Sequence, residues 1–136
     1  MSNLEQTLSI IKPDAVERNL QEEIKNMFKK NGFNLINEKK IHILKSEAEQ
    51  FYKVHETKPF YNDLCEYLSS GPIIVIILEK ENAVVENRKI MGATDPKNAD
   101  EGTIRNKYGI SIDKNSVHGS DSVENAKKEI NFFFKD

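Results

Sequence analysis

At 136 residues the chain fits one domain, residues 1–136, long enough to bury a core without disulfide or metal staples. Lys plus Arg number 20 against 22 Asp plus Glu, a balance that argues against a protein-wide basic field for nucleic acid or anionic membrane but leaves room for a local cationic pocket. Cys65 is the only cysteine, so an intrachain disulfide, a zinc ribbon and a Cys-x-x-Cys redox pair are all excluded.

Met1 to Gln6 shows no basic segment followed by an apolar one, so no secretory signal is read there. The longest aliphatic run, Ile73 to Leu78, is far too short to span a bilayer. A reducing, cytoplasmic setting is the expectation. In chain order, patterning predicts a strand over Leu4–Ile11, ended by Lys12-Pro13, then one helix with Ile24, Met27 and Phe28 on a common face and Gly32 as its stop. Phe33–Ile43 reads as a second strand. Ser46-Glu47-Ala48-Glu49 reads as a capping box opening a helix that carries Phe51, Tyr52 and His55. Thr57-Lys58-Pro59 breaks that helix, and the next one places Tyr61, Leu64, Cys65 and Leu68 together.

Gly71-Pro72 turns the chain into Ile73–Leu78, whose unbroken β-branched run predicts a central strand buried on both faces. Asn82 is positioned to cap a helix ending near Met91-Gly92. A last helix is expected from about Ser122, with Val123, Ala126 and Ile130 inward, followed by a strand at Phe132–Phe134. The order β-α-β-α-α-β-α-β implies an α+β fold, one sheet with helices mainly on one side. The stretch from Gly92 to Ser122 has little periodicity beyond a short helix around Thr103–Tyr108. Connections of that length in compact domains tend to be functional or disordered; this one holds Thr94, Arg105, Asn115, His118 and Ser120 and reads as functional.

The spacing of the six glycines admits neither a Walker A loop nor a Rossmann or kinase glycine loop. A nucleotide enzyme built on this chain must therefore hold phosphates with side chains. Asn115-Ser116-Val117-His118-Gly119-Ser120-Asp121 is the strongest local signal. A phosphoryl relay needs a nucleophile that is unprotonated near neutral pH and forms a labile bond to phosphorus, and imidazole supplies both. Glu129, at the edge of the following helix, is the candidate partner for the other ring nitrogen. Taken alone, a histidine in a Gly/Ser/Asp turn is ordinarily a solvated loop residue, and Ser120-Asp121-Ser122 has a plain use as a helix cap. His42 reads as a surface or sheet-edge residue and Cys65 as packing.

Asn115-x-x-His118-Gly119-Ser120-Asp121, together with Ile11-Lys12-Pro13-Asp14 and Arg88-x-x-Met91-Gly92-x-Thr94, resembles the nucleoside diphosphate kinase family. Tyr52, His55, Lys58-Pro59-Phe60-Tyr61 and Gly102-Thr103-Ile104-Arg105 continue the match in the family's order, from Leu8 to Phe134. The resemblance implies a ferredoxin-like α/β sandwich: an antiparallel four-stranded sheet covered by helices, with a long functional loop. It implies a ping-pong transfer, in which a nucleoside triphosphate such as ATP with Mg2+ phosphorylates His118 and a nucleoside diphosphate such as GDP then accepts the phosphate.

By match to the family motif, His118 is the nucleophile, with Glu129 and Ser120 its supporting neighbours and Tyr52 close by. Arg88, Thr94, Arg105 and His55 hold phosphates; Lys12 and Asn115 reach the sugar hydroxyls and the transferring end. Phe60 stacks on the base, Leu64 and Ile112 complete an apolar slot, and Asp121 touches magnesium through water. A stacking slot reads a face that every base has, so broad base specificity follows. The family is oligomeric, implying a tetramer or hexamer; neither membrane nor nucleic acid is an expected partner. The chain departs from the family at Gln21-Glu22-Glu23 and near Lys80, positions of turns and helix packing, at Asp100-Glu101, in the loop that helps build the assembly, and at Tyr108-Gly109, for which the sequence offers no reason. The rival readings are a non-catalytic nucleotide- or nucleic-acid-binding module on the same scaffold, and a phosphocarrier serving protein partners.

Overall fold

In a computed structural model of the chain, residues 4–112 and 114–134 are described. Strand β1 (Leu4–Ile11) is buried on both faces from Thr7 onward, with Leu8 and Ile10 on one side and Thr7, Ser9 and Ile11 on the other. Pro13 sits in the first turn of a short helix, α1 (Pro13–Glu17), where its missing N–H costs nothing. Two helices replace the single one expected after β1. The chain breaks at Asn19, whose φ of 59° is left-handed, before α2 (Gln21–Lys30) buries Ile24 and Phe28.

Strand β2 (Asn34–Ile41) is shorter than the predicted span and carries a bulge between Leu35 and Asn37. Helix α3 (Lys45–Phe51) begins one residue before Ser46, so the predicted capping box is out of register. The Glu47 carboxylate accepts the N–H of Leu44 at 2.9 Å, which makes Leu44 the cap and Glu47 the third helical residue. Tyr52 ends α3, and His55 belongs to a separate 3-10 turn, Lys53–His55. Helix α4 (Tyr61–Leu68) buries Cys65 and Leu68 as its spacing implied.

Strand β3 (Ile73–Glu81) is followed by α5 (Ala83–Met91), entered through Asn82 in the left-handed region at φ 55° rather than by a side-chain capping bond. A 3-10 turn, Pro96–Asn98, and helix α6 (Ile104–Tyr108), capped by Thr103, lie within the long connection. The fourth strand, β4, is Val117–Gly119, and α7 runs from Val123 to Phe134. Phe132–Phe134 is therefore helix, not the predicted strand. Ala126, Ile130 and Phe133 lie at helical spacing against the sheet, and burying that face outweighs the local β preference of three aromatics.

The sheet is antiparallel throughout, in the order β2-β3-β1-β4. Alternate β3 residues feed two cores. Ile74, Ile76 and Leu78 pack with Ile24, Phe28, Met91 and Ile104 on one face; Ile73 and Val75 pack with Ala48, Tyr52, Cys65, Leu68 and Phe133 on the other. Helices thus cover both faces, correcting the expectation of one. The physical reason is visible in β3, since an apolar run without alternation must be covered twice.

Candidate active site

His118 lies in the middle of β4, opposite Ile10 of β1. Strand alternation turns it toward the core that holds Tyr52 and Phe133, and its neighbour Gly119 toward α5. A Cβ at Gly119 would stand 2.5 Å from both Asn87 Nδ2 and Met91 Sδ. Glycine is therefore required here so that α5, which carries Arg88, can lie close against the strand. The edge of Phe51 meets the imidazole at 5.4 Å between centroids, and Tyr52 at 6.4 Å.

His118 Nε2 lies 3.0 Å from Glu129 Oε1, and the Ser120 hydroxyl donates to the same oxygen at 2.8 Å. Ser120 is fully buried and its Oγ accepts the N–H of Leu8 at 3.4 Å. Since a carboxylate only accepts, Nε2 is the ring nitrogen that donates to Glu129, which in the neutral ring leaves the lone pair on Nδ1. The Ser122 hydroxyl accepts the N–H of Asn125, so the end of the His-Gly-Ser-Asp-Ser stretch does cap α7, and that cap places Glu129 nearly two turns further on.

Around the imidazole opens a cleft of about 810 Å³. Tyr52, His55, Phe60, Arg88, Thr94, Arg105, Asp121 and Glu129 all border it. Arg105 is 9% exposed, and its guanidinium donates to the carbonyls of Gly92 at 3.1 Å and Val117 at 2.9 Å. Burial first, then the nearby Arg88 charge, lowers its pKa to about 10. It remains cationic at neutral pH, and two arginines bordering one cleft favour an anion there. Phe60 is 48% exposed at the rim, with its ring 6.0 Å from that of His55. Burial, reinforced by the Glu129 charge, pushes the Tyr52 hydroxyl up, so it stays protonated. A hydrogen bond from Asn125 holds the Asp121 carboxyl below its usual range.

Lys12 and Asn115 lie just behind this lining: Lys12 Nζ donates to Asn115 Oδ1 at 3.0 Å, and Asn115 Nδ2 donates to the Thr94 carbonyl at 3.1 Å. Leu64 is partly buried in the second core, and Ile112 is 56% exposed and outside the lining. Leu64 follows the Phe60 N-cap by one turn of α4. Phe51, Asn125 and Lys128 border the cleft without having been singled out. Asn125 was within reach of sequence reasoning, four residues after Asp121 at the start of a helix. Phe51 carried no signal that separates it from a core aromatic.

A four-stranded antiparallel sheet with a carboxylate-held histidine on one strand, two arginines bordering the same cleft and no glycine loop fits the class of proteins that handle phosphate with side chains around an imidazole. The comparisons with known proteins agree. The nucleoside diphosphate kinase family profile matches residues 5–136. A nucleoside diphosphate kinase of Nitratiruptor sp. is 56% identical over 131 residues, 96% of each chain, and one of Campylobacter curvus is 54% identical over the same share. Among solved structures, the Aquifex aeolicus nucleoside diphosphate kinase superposes with a TM-score of 0.95 at 38% identity, covering 97% of this chain and 96% of that one. The chain belongs to the nucleoside diphosphate kinase family, a family of enzymes.

Proposed function

We propose that this chain moves the terminal phosphate of a nucleoside triphosphate to a nucleoside diphosphate by way of His118 Nδ1, with little preference among bases. The observation that carries the reading is the convergence of His118 Nε2 and Ser120 Oγ on one oxygen of Glu129. In the first half-reaction the Nδ1 lone pair forms a bond to the γ-phosphorus while the bond to the β-γ bridging oxygen breaks, and the nucleoside diphosphate leaves with that electron pair. The ring becomes cationic, its Nε2–H still held by the Glu129 carboxylate. The second half-reaction reverses these events with another diphosphate: its terminal phosphate oxygen bonds to phosphorus and the N–P bond breaks.

Arg88 and Arg105 neutralise the charge spread over the moving phosphoryl group, which is the main demand of such a transfer. Thr94 and His55 complete the phosphate cradle, Lys12 and Asn115 serve the sugar and transferring end, and Phe60 offers a stacking face at the rim. The donor set also fits magnesium. Among the described residues no group of three His, Cys, Asp or Glu forms a cage, and Mg2+ ordinarily takes one or two carboxylates plus substrate phosphates. Asp121, kept ionised by Asn125, is the carboxylate that would hold it through water, and the ion would neutralise phosphate oxygens.

The assembly is a homo-oligomer, a tetramer or hexamer, a reading supported by β2: it is an edge strand of the sheet and most of its residues are exposed. Among the described residues no helix is long and apolar enough to cross a membrane. The test is γ-labelled ATP with magnesium on wild type and His118→Ala, followed by a chase with unlabelled GDP. An acid-labile adduct on wild type only, moving to GTP, is the expected result. Transfer without the adduct would refute the relay, and no transfer at all would leave a binding module.

A further inference from the structure

Outside the cleft, a second polar cluster is buried where helix α1, helix α4 and the end of the long loop meet. Asp14 is 5% exposed, yet its carboxylate is fully engaged. The Tyr67 hydroxyl donates to Asp14 Oδ1 and accepts the Asp14 backbone N–H at 2.9 Å. On the other oxygen, Arg18 donates at 3.1 Å and the Ser116 hydroxyl at 3.3 Å. Arg18 also reaches the Tyr108 carbonyl at 2.6 Å and Ser116 Oγ at 3.4 Å, so both ends of the segment between α6 and β4 are tied to α1. Ser116 has a φ of 77° and its carbonyl accepts the Lys12 N–H at 2.9 Å. A non-glycine residue persists in the left-handed region when its surroundings fix it, and this cluster is what surrounds Ser116. Burial, with the Asp14 carboxylate beside it, pushes the Tyr67 hydroxyl up, keeping it a donor.

The placement of Tyr67 gives the cluster a further consequence. Helix α4 has Phe60 at its N-cap and Tyr67 near its end, about 10 Å apart along a rigid helix. Helix α1 has Lys12 at its N-cap, and Lys12 holds Asn115. The Tyr67–Asp14 pair therefore connects the element bearing the base-stacking ring to the element bearing the sugar-side groups. We propose that Tyr67 is a positioning residue: its bonds to Asp14 set the span between Phe60 and the Lys12–Asn115 pair to the length of a nucleoside diphosphate. The inference rests on the nucleotide reading above and adds to it a residue outside the cleft that governs how well the whole nucleotide fits.

The experiment compares wild type and Tyr67→Phe with two phosphate donors. One is ATP, which must fill the full span; the other is phosphoramidate, which has neither base nor sugar. We expect the KM for nucleotides to rise about fivefold or more with kcat within twofold, while the rate of His118 phosphorylation by phosphoramidate stays unchanged. Retention of that second rate also shows that the variant is folded. In a Phe60→Ala background, Tyr67→Phe should add less than twofold to KM, because the ring it positions is gone. An unchanged KM overturns the proposal. So does an equal loss with both donors, which would make Tyr67 a stabiliser of the fold alone. A wild type that forms no phosphohistidine from ATP would instead overturn the nucleotide reading itself, and this proposal with it.

Discussion

Replacing Glu129 by alanine removes an acceptor on which two donors converge, His118 Nε2 at 3.0 Å and Ser120 Oγ at 2.8 Å. The side chains of His118 and Glu129 are 21% and 19% exposed, so water can partly replace the lost partner but cannot hold the ring in place. The contact that matters to the reaction is the one to Nε2, because it strengthens as the ring becomes cationic on phosphorylation. A charge-assisted hydrogen bond is worth about 1.5–3 kcal/mol, which corresponds to roughly ten- to 150-fold in rate. Phosphohistidine formation measured by rapid quench with γ-labelled ATP should slow by that factor. Glu129→Gln keeps an accepting oxygen but loses the charge, and should lose less than alanine. A Glu129→Ala rate within threefold of wild type would refute the argument that this carboxylate orients and stabilises the nucleophile.

Arg88→Ala, at an exposed position, should lower turnover about ten- to a hundredfold with little change in urea stability. Arg105→Ala should lower both, because Arg105 is buried and bonded to the Gly92 and Val117 carbonyls; equal stability of the two variants would count against that distinction. Phe60→Ala should weaken nucleotide binding by about 1–3 kcal/mol for every base alike, and a loss confined to one base in a titration series would contradict stacking. Gly119→Ala should destabilise by about 1–3 kcal/mol, since its Cβ would meet Asn87 and Met91 at 2.5 Å; an unchanged urea midpoint would show that α5 yields freely. The carboxyl of Asp121 is held below its ordinary value by Asn125, so the contribution of that bond is present at neutral pH and lost as pH falls through the depressed value. Asn125→Ala should thus cost under about 1 kcal/mol at pH 7, and the gap to wild type should close in strong acid.

Much of the fold was legible because burial imposes a period on the chain. β1 and β3 stand where the apolar runs placed them, and α5 ends at Met91 beside Gly92 as expected. The errors fall where local preference and tertiary burial point in different directions. Phe132–Phe134 has the composition of a strand, yet α7 continues through it because its inward face keeps helical spacing. β4 has only three residues, too few to show any period, and it is a strand because β1 offers it an edge to pair with. The cap of α3 slipped by two residues because Ser46 resembles a cap, whereas the carboxylate that closes the turn belongs to Glu47 and reaches back to Leu44.

The site divides in the same way. Asn115 through Asp121, with Arg88, Arg105 and Lys12 at their distances along the chain, pointed to phosphate chemistry on a histidine through their joint resemblance to a known family, since His118 in its own turn reads as a solvated loop residue. Which of those side chains share a cleft depends on contacts between positions far apart in sequence. Strand pairing sets His118 against Ile10 and its ring among Phe51 and Tyr52, and the length of α7 brings Glu129 back to Nε2. The same packing joins Asp14 to Tyr67 across 53 positions. Chemistry is a property of residue types and so is written along the chain, whereas proximity is produced by burial and pairing and exists only once the sheet has formed.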